Sequence, residues 1–378
     1  MIIGFDAKRA FFNKSGLGNY SRTLIKSICE YYPENTYELY SPIYKNENLV
    51  FPDLPKNSRV HFPGSVTGKL LSPLWRSFNV TSDISRNNTN IFHGLSNELP
   101  FNIKKSGAKT IVTIHDLIFI RFPQLYSPID RKMYEIKFKK ACKDADHIIA
   151  VSEQTKNDLI TFFNIKSDKI SVVYQSCDPS YFTFSENEQQ FQKIKQKYNL
   201  PENYLLYIGT IEERKNLLTL LKAIKQLPVN IDIPLVVIGN KKKDYFKIIR
   251  EYIKANNLEK KVIFPERVDN SELPFLYNKA KIFIYPSIFE GFGIPVLEAL
   301  LCKVPVITSN CSSLPEAAGP FSELTDPTNA EELTLKIRLI LSDPEKGITM
   351  VEQGLKHAQK FHPKKTSQDL MAIYKGLM

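Results

Sequence analysis

Residues 281–298 read KIFIYPSIFEGFGIPVLE, and their pattern is the clearest indication of the fold class. It opens with a short, mostly apolar run that is typical of a buried parallel strand. A loop with two glycines follows, and Pro295 then starts a helix, because its missing N–H costs nothing in a first turn. Glycines let backbone N–H groups approach a ligand, and a helix start attracts anions. The stretch therefore predicts an anion seat at the carboxyl end of a parallel strand.

The same alternation of strand and helix patterns continues on both sides of this stretch. A helix is predicted from Ser152, as its N-cap, to about Phe163, and another over 217–227. Further strands are predicted at 2–5, 111–114, 147–151, 204–208, 235–238, 262–264 and 306–308. This order indicates an α/β protein with two doubly wound parallel sheets.

A length of 378 residues suits two domains better than one. We predict a first domain over 1–180 and a second over 201–360. Residues 181–200, which are polar and rich in Glu, Gln and Lys, are predicted as the linker. Residues 361–378 are predicted as a C-terminal helix.

The charge and cysteine content of the chain limit the classes of ligand and partner that we expect. There are 51 Lys and Arg against 40 Asp and Glu, a formal charge of +11. Such an excess favours phosphate-bearing ligands, polyanions or anionic lipid surfaces. The basic residues are spread along the chain, which argues against nucleic acid as a partner. Five cysteines without a CxxC pair argue against a disulfide framework or zinc site, so a cytoplasmic location is expected.

Glu290 and Glu298 are the candidate ligand-binding carboxylates of the quoted stretch. Glu290 precedes the predicted helix, and Glu298 lies one turn inside it. A carboxylate can accept two hydroxyl hydrogen bonds, so one could hold a sugar and the other a ribose. The alternative is a strand–helix turn in which a first-turn Glu favours the helix dipole.

Arg214 and Lys215 lie in YIGTIEERKN, residues 207–216, after the first predicted strand of the second domain. We predict them at the start of a helix, where two cations oppose the helix dipole. Such a costly placement indicates an anionic ligand, and a diphosphate is the natural one. The alternative is a solvated basic turn.

In the first domain, SGLGNY at residues 15–20 half-matches a dinucleotide fingerprint, with Ser21 in place of a third glycine. It is either a phosphate-facing loop or a tight connection. His115 follows the strand predicted at 111–114. Its imidazole could bind a sugar hydroxyl, transfer a proton or be structural.

Two further patterns give weaker indications of function. Asp144 and Asp146 form a DxD pair of the kind that holds a metal in some sugar transferases, but they precede a strand, at the end opposite the ligand edge. No metal site is therefore predicted. Residues 129–140 are basic with interleaved apolar residues. An ordinary amphipathic helix is favoured there over one that lies on an anionic membrane.

Several of these segments together resemble the retaining family 4 glycosyltransferases of the GT-B fold. The resemblance rests on FEGFGIPVLEAL at 289–300, YIGTIEERKNL at 207–217, VSEQTKNDLI at 151–160, TIHDLIFIRFP at 113–123 and SGLGNY at 15–20. It implies two Rossmann-like domains that face a cleft, with the C-terminal helix returning to the first domain. It also implies a nucleotide-sugar substrate and neither a cofactor nor a metal.

The resemblance assigns roles to individual residues. The catalytic set that it implies is His115, Arg214, Lys215 and Glu290. The donor-binding set that it implies is Gly16, Gly18, Gly209, Gly291, Phe292, Gly293, Ile294 and Glu298. Arg214 and Lys215 would neutralise the diphosphate, because Thr210 stands where some relatives carry an Arg.

The resemblance further implies transfer of a hexose with retention of configuration. The segment at 113–123 is most similar to mannosyltransferases of bacterial surface-polysaccharide pathways. GDP-mannose is therefore the first expected donor, with a UDP-hexose or UDP-N-acetylhexosamine as the alternative. The expected acceptor is a lipid-linked oligosaccharide at the inner face of the membrane, with a peripheral contact to anionic lipid. Two other classes remain open, a nucleotide-sugar epimerase or hydrolase and a non-catalytic nucleotide-sugar-binding protein.

Overall fold

The computed structural model describes residues 1–42, 51, 53–64 and 74–378, and the chain divides into two compact units. The first unit comprises Met1–Asp178 and Phe361–Met378, and the second comprises Pro179–Lys360.

Within the described residues, the first unit is built on a seven-stranded parallel sheet. Its strands are β1 (Ile2–Asp6), β2 (Thr36–Tyr40), β3 (Ser58–His61), β4 (Ile91–Gly94), β5 (Lys109–Ile114), β6 (His147–Ala150) and β7 (Ile170–Val172). The strand order is β3-β2-β1-β4-β5-β6-β7. Its helices are α1 (Lys8–Phe12), α2 (Gly16–Tyr31), α3 (Val80–Arg86), α4 (Ile118–Arg121), α5 (Pro128–Asp144) and α6 (Glu153–Phe163).

The second unit repeats this plan with six strands among its residues. They are β8 (Leu205–Ile208), β9 (Leu235–Ile238), β10 (Val262–Ile263), β11 (Ile282–Tyr285), β12 (Val306–Ser309) and β13 (Glu323–Thr325). The order is β10-β9-β8-β11-β12-β13, all parallel. Its helices are α7 (Pro179–Phe182), α8 (Glu188–Tyr198), α9 (Leu217–Lys225), α10 (Lys243–Ala255), α11 (Leu273–Lys279), α12 (Ile294–Leu301), α13 (Leu314–Ala318), α14 (Ala330–Ser342) and α15 (Pro344–Ala358).

The C-terminal helix α16 (Pro363–Gly376) belongs to the first unit, where it packs against α2. Leu370, Met371 and Tyr374 are buried in the same core cluster as Ile25 and Ile28 of α2. This burial explains why the last residues group with a unit that begins at Met1.

The segment predicted as a linker, 181–200, is structured instead. The division between units lies at Asp178, and most of the polar stretch forms α8 within the second unit. Phe191 and Ile194 are buried although the helix is polar overall. Two apolar residues three apart suffice to anchor a surface helix, and average composition hides such a signal.

The predicted strands and the two doubly wound parallel sheets are confirmed. The prediction missed β2, β3, β4, β7 and β13. These strands are short or carry polar residues; in β2, for example, Glu38 is buried and pairs with His61 of β3. Glu38 finds its partner on the neighbouring strand, so this buried strand can carry a charged residue. Such a residue interrupts the apolar run by which buried strands are recognised in a sequence.

Candidate active site

The candidate site lies where the strand order of the second sheet reverses direction. β8 and β11 are neighbours in that sheet, and the chain leaves β8 for β9 on one side before it returns to β11 on the other. Open α/β sheets bind ligands beyond the carboxyl ends of strands at such a point. The loops after the two strands are joined, because the Ile288 amide donates to the Arg214 carbonyl at 2.8 Å.

Arg214 and Lys215 lie in a single 3-10 turn, Glu213–Lys215, that precedes α9. Their predicted position at a helix start is corrected, because α9 begins only at Leu217, after Asn216 in the left-handed region with φ 58°. The Asn216 side chain donates to the Pro286 carbonyl at 3.0 Å and thereby fixes this turn to the loop after β11. Carboxylates, rather than a helix dipole, set the local electrostatics of the two cations.

Glu290 is the centre of this ion-pair cluster. Lys215 Nζ contacts Glu290 Oε1, and Arg214 Nη1 lies 3.0 Å from the same oxygen. A second carboxylate neutralises the arginine, with Glu212 Oε1 2.8 Å from Arg214 Nη2. Two cations and two carboxylates therefore compensate one another in a largely buried setting.

The pKa values follow from this burial. Desolvation raises the pKa of Glu290, but the charges of Lys215 and Arg214 outweigh it and hold that pKa at about 2. Desolvation is also the largest effect on Lys215, and together with Arg214 it lowers the pKa of the lysine despite the opposing charge of Glu290. A buried lysine beside an arginine gains from any additional anion, which is the property that a diphosphate site needs.

The two oxygens of Glu290 differ in their surroundings. Besides the two cations, Oε1 accepts hydrogen bonds from Tyr285 Oη at 3.1 Å and from Ser287 Oγ at 2.6 Å. No described residue donates a hydrogen bond to Oε2. The protein thus anchors the carboxylate through one oxygen and leaves the other able to accept from a ligand hydroxyl.

The loop that carries Glu290 rests on two serines that follow β12. Ser312 Oγ accepts from the Glu290 amide at 3.1 Å, and Ser313 Oγ lies 2.9 Å from the Glu290 carbonyl and 2.8 Å from that of Phe292. Gly293 caps α12 with φ 123°, a conformation that L side chains rarely adopt. The predicted two-glycine loop and helix start are confirmed, with Ile294 as the first helical residue.

The other donor-binding candidates of the second unit lie close to the same strand ends. Glu298 is on α12, where its Oε2 accepts from the buried hydroxyl of Tyr277 at 3.0 Å. Gly209 follows β8, and a Cβ there would lie 3.3 Å from the Tyr285 ring. Gly291 completes the loop beside Glu290.

Gly16 and Gly18, the two donor-binding glycine candidates of the first unit, differ in the space around them. Gly16 is exposed at the first position of α2, and an added Cβ would meet no atom within 4 Å. Gly18 is buried, and its Cβ would lie 1.8 Å from the Asn13 carbonyl oxygen. Gly18 is therefore required by packing, whereas only Gly16 has open space in front of it.

His115 lies at the carboxyl end of β5 as predicted, but its imidazole is buried and bonded on both sides. Nε2 lies 2.9 Å from the Leu95 carbonyl, and Nδ1 lies 2.9 Å from Gln175 Nε2. A carbonyl only accepts, so the ring proton is on Nε2 and Nδ1 accepts from the amide. Burial lowers the pKa of His115 to about 4. This geometry favours a positioning role over proton transfer.

A buried network that the sequence did not indicate lies beside this histidine. His93 Nδ1 is 2.7 Å from Tyr374 Oη of α16, and His93 Nε2 is 2.8 Å from Thr113 Oγ1. Tyr20 Oη reaches the same threonine at 3.1 Å, and the Tyr20 ring meets the His115 ring edge-on. Burial lowers the pKa of His93 to about 3.

The DxD pair serves the local structure. Asp146 Oδ2 accepts from the Thr110 amide at 2.7 Å and from its hydroxyl at 2.9 Å, at the amino-terminal end of β5. Asp144 pairs with Lys140 at 2.7 Å. In the part of the chain that the structure describes, no three His, Cys, Asp or Glu side chains gather as metal ligands do.

Glu212, Tyr285 and Ser287 are the site residues that sequence reasoning missed. All three follow or end a strand that was predicted correctly. Polar side chains at such strand ends are the signal that could have found them, because neighbouring strand ends meet at one edge of the sheet.

Comparison with known proteins identifies the family. Residues 188–375 match the family model described as glycosyl transferases group 1, and residues 42–181 match that of glycosyltransferase family 4. O-antigen chain mannosyltransferase B of Escherichia coli is 32% identical over 76% of this chain and 74% of that protein. O-antigen chain mannosyltransferase RfbU of Salmonella typhimurium is also 32% identical, over 53% of this chain and about half of its own length, 51%.

Solved structures agree on the fold. Sucrose-phosphate synthase from Thermosynechococcus elongatus superposes with a TM-score of 0.79 at 19% identity, over 100% of this chain and 99% of that one. HepE from Anabaena, solved with UDP and glucose, gives 0.77 at 17% identity over 99% of each chain. The chain therefore belongs to the family 4 glycosyltransferases and is a glycosyltransferase of the GT-B fold.

Proposed function

We propose that this enzyme transfers mannose from GDP-mannose, with retention and without a metal ion, to a lipid-linked saccharide in surface-polysaccharide or O-antigen synthesis. The names of the two O-antigen mannosyltransferases that it resembles at 32% identity support the sugar and the pathway. A lipid-linked acceptor would have the enzyme work at the inner face of the cytoplasmic membrane, as a peripheral protein. Among the helices that the structure describes, none combines the length and the hydrophobicity that a membrane span requires.

The observation that carries this proposal is the cluster of Arg214, Lys215 and Glu290. The developing charge on the leaving diphosphate is the main barrier to glycosyl transfer. Arg214 and Lys215 would stabilise that charge, together with the N–H groups at the start of α12. The diphosphate would add its charge to the anionic charge that Glu212 and Glu290 supply to the two cations.

Glu290 would hold the donor sugar through the oxygen that the protein does not use. Its Oε1 is fixed by Lys215, Tyr285 and Ser287, so Oε2 is held in one orientation. A carboxylate held this way accepts a hydrogen bond from a sugar hydroxyl with little loss of side-chain entropy on binding. Glu298 would bind the ribose, and Gly16 remains a proposed donor-binding residue of the first unit.

Retention would follow from attack on the face that the diphosphate leaves. The bond between the acceptor oxygen and the anomeric carbon forms as the bond from that carbon to the phosphate oxygen breaks. The acceptor proton passes to the departing phosphate. His115 would not take this proton, because both of its ring nitrogens are already bonded.

The test is a transfer assay with GDP-mannose, UDP-glucose and UDP-N-acetylglucosamine, each with and without a lipid-linked acceptor. We expect mannosyl transfer from GDP-mannose, undiminished by EDTA, and an α-linked product by NMR. Transfer from a UDP-sugar alone would replace the donor assignment. Free sugar or isomerised donor without acceptor would instead indicate a hydrolase or an epimerase, and donor binding without turnover a binding protein.

A further inference from the structure

The first sheet has its own point at which the strand order reverses direction. β1 and β4 are neighbours, and the chain leaves β1 for β2 on one side before it returns to β4 on the other. Asp6 is the last residue of β1, and Glu98 lies in the loop after β4, so both are at the carboxyl edge of this sheet. Open α/β sheets bind ligands at such a point. Neither carboxylate takes part in the proposed donor site.

Arg76 joins the two carboxylates. Its Nε and Nη2 atoms donate to Asp6 Oδ2 at 2.9 and 2.6 Å, and its Nη1 donates to Glu98 Oε2 at 2.7 Å. Lys137 Nζ lies 3.4 Å from the other carboxylate oxygen of Glu98. A π-helical turn, Trp75–Asn79, carries Arg76, and this rare conformation is frequent at functional sites. Two cations and two carboxylates thus balance one another at this edge.

The loop that carries Glu98 also holds a buried hydroxyl. Gly94 lets this loop fold back on β4, because a Cβ there would lie 2.2 Å from the Glu98 carbonyl oxygen. Ser96 is 5% exposed, and its Oγ has no hydrogen-bond partner among the residues that the structure describes. Buried hydroxyl groups normally have a partner, so this one is available to a ligand.

A small recess opens among the charged side chains. Asp6, Arg76, Glu98 and Lys137 line it together with Phe101 and other residues. Its volume is about 20 Å³. A water molecule needs about 10–15 Å³, so the recess has room for one hydroxyl group.

An aromatic pair borders the recess. Phe101 stacks on Phe78, with ring centroids 5.5 Å apart and an angle of 21° between the rings. Phe78 is 43% exposed. A sugar ring carries C–H groups on its faces, and contact with an exposed aromatic ring removes the apolar surface of both from water. A recess for one hydroxyl beside such a ring therefore suits a sugar.

The charges at the recess favour an uncharged ligand that donates hydrogen bonds. Desolvation raises the pKa of Glu98, but the charges of Arg76 and Lys137 outweigh it and hold that pKa below its usual value. Glu98 is therefore ionised and only accepts. A carboxylate has about four lone-pair sites, and the described residues use two of those on Glu98. The two cations are already paired with carboxylates, so they offer an anionic ligand little net attraction.

We infer that this edge of the first unit binds the terminal sugar of the acceptor, an uncharged hexose residue with one hydroxyl in the recess and a C–H face on Phe78. The hydroxyl would donate to Glu98, and Ser96 would bond a second polar atom of the sugar. That the sugar belongs to the acceptor rests on the proposed function, whereas the binding of a saccharide does not. A sugar that carries a phosphate would bind more weakly, because the carboxylates repel it.

The binding test titrates mannobiose, chitobiose and mannose 6-phosphate into the full chain without nucleotide, with detection by NMR. We expect at least one of the uncharged disaccharides to bind, and mannose 6-phosphate to bind more weakly. Glu98→Gln keeps the shape of the side chain and should weaken disaccharide binding by about tenfold to a hundredfold. Glu323→Gln is the matched control and should bind normally, because Glu323 also pairs with two lysines but lies on β13.

Two further variants test the site without a change to its ion pairs. Ser96→Ala removes a hydroxyl that no described residue bonds, so it should melt no lower than the wild type. It should nevertheless bind the disaccharide about threefold to tenfold more weakly. Phe78→Ala should cause a loss of similar size, because it removes the ring on which the sugar would lie. The control is Phe321→Ala, at an exposed position of the second unit, which should bind normally.

Four results would overturn the inference. They are a wild type that binds neither disaccharide, tighter binding of mannose 6-phosphate than of both disaccharides, equal losses in Glu98→Gln and Glu323→Gln, and first-unit variants that all bind like the wild type. If the proposed function holds, the first-unit variants should raise KM for a short-chain mannosyl acceptor and leave KM for GDP-mannose nearly unchanged. Failure of the proposed function would leave no transfer from GDP-mannose, while disaccharide binding and its loss in Glu98→Gln persist.

Discussion

Lys215 is the side chain whose charge is most important to the proposed chemistry of the site. Lys215→Met keeps the apolar length and removes the charge that would face the diphosphate. We expect turnover to fall by about a hundredfold to a thousandfold, as for other lost transition-state donors. Steady-state kinetics would measure this. Lys222→Met, at an exposed position on α9, is the matched control and should turn over normally. Near-normal turnover in Lys215→Met would remove the lysine from the mechanism.

The two buried histidines predict how stability changes with pH. In the unfolded chain they bind a proton near pH 6.5, but in the fold the pKa of His93 is about 3 and that of His115 is about 4. Below pH 6.5 the unfolded state thus binds more protons, and stability falls as the pH falls. The slope that each histidine contributes should rise as the pH falls below 6.5 and approach about 1.4 kcal/mol per pH unit near pH 5. Urea unfolding of the wild type and of His93→Gln would show the slope reduced in the variant. An unchanged slope would contradict this origin.

Individual site residues could be predicted from the sequence only where one short motif contained the residues that carry the chemistry. Glu290 lies in a glycine-rich strand–helix turn, and Arg214 and Lys215 follow a clear strand, so their chemical types were informative. Tyr285 and Ser287 were missed because their role depends on which oxygen of Glu290 they bind. That choice is set by the folded loop and has no sequence pattern.

The two glycines at the start of α2 should respond differently to replacement by alanine. Gly18→Ala places a Cβ against the Asn13 carbonyl and should destabilise the first unit by about 1–3 kcal/mol. Gly16→Ala meets open space and should leave the melting temperature unchanged, but it should raise KM for the nucleotide sugar if phosphates approach there. Calorimetry and kinetics on the two variants separate the roles. Equal melting temperatures would contradict the packing role given to Gly18.

The helices and strands that depend least on neighbouring strands were the easiest to predict from the sequence. The stretch from β11 to α12 carries its own strand, glycines and Pro295, and it folds as the sequence indicates. By contrast, β3 and β13 are exposed in part and polar, and they pair only because β2 and β12 offer an edge. Their existence follows from the sheet rather than from local propensity.

For the whole molecule, the C-terminal helix should matter most to the first unit. Leu370→Ala removes a buried side chain from the core shared by α16 and α2, and it should cost about 2–5 kcal/mol. Calorimetry should show a lower transition for the first unit and an unchanged one for the second. Gln368→Ala, exposed on the same helix, is the control. A shift confined to the second unit would contradict the assignment of α16.

The net charge of the whole chain predicts a preference for anions, but composition could not show where an anion would bind. The structure places a buried cation pair beside Glu290, where Glu212 and Glu290 balance the charge of the pair. Such a pair would suit a diphosphate.

In the proposed mechanism, Lys215 binds the donor diphosphate and Glu290 binds the donor sugar. Calorimetric titration of GDP and of GDP-mannose into the wild type, Lys215→Met and Glu290→Gln tests both roles. We predict that Lys215→Met weakens both ligands, and that Glu290→Gln weakens GDP-mannose while GDP binds nearly as in the wild type. GDP binding that is the same in Lys215→Met and the wild type, or equal losses of both ligands in Glu290→Gln, would contradict the account.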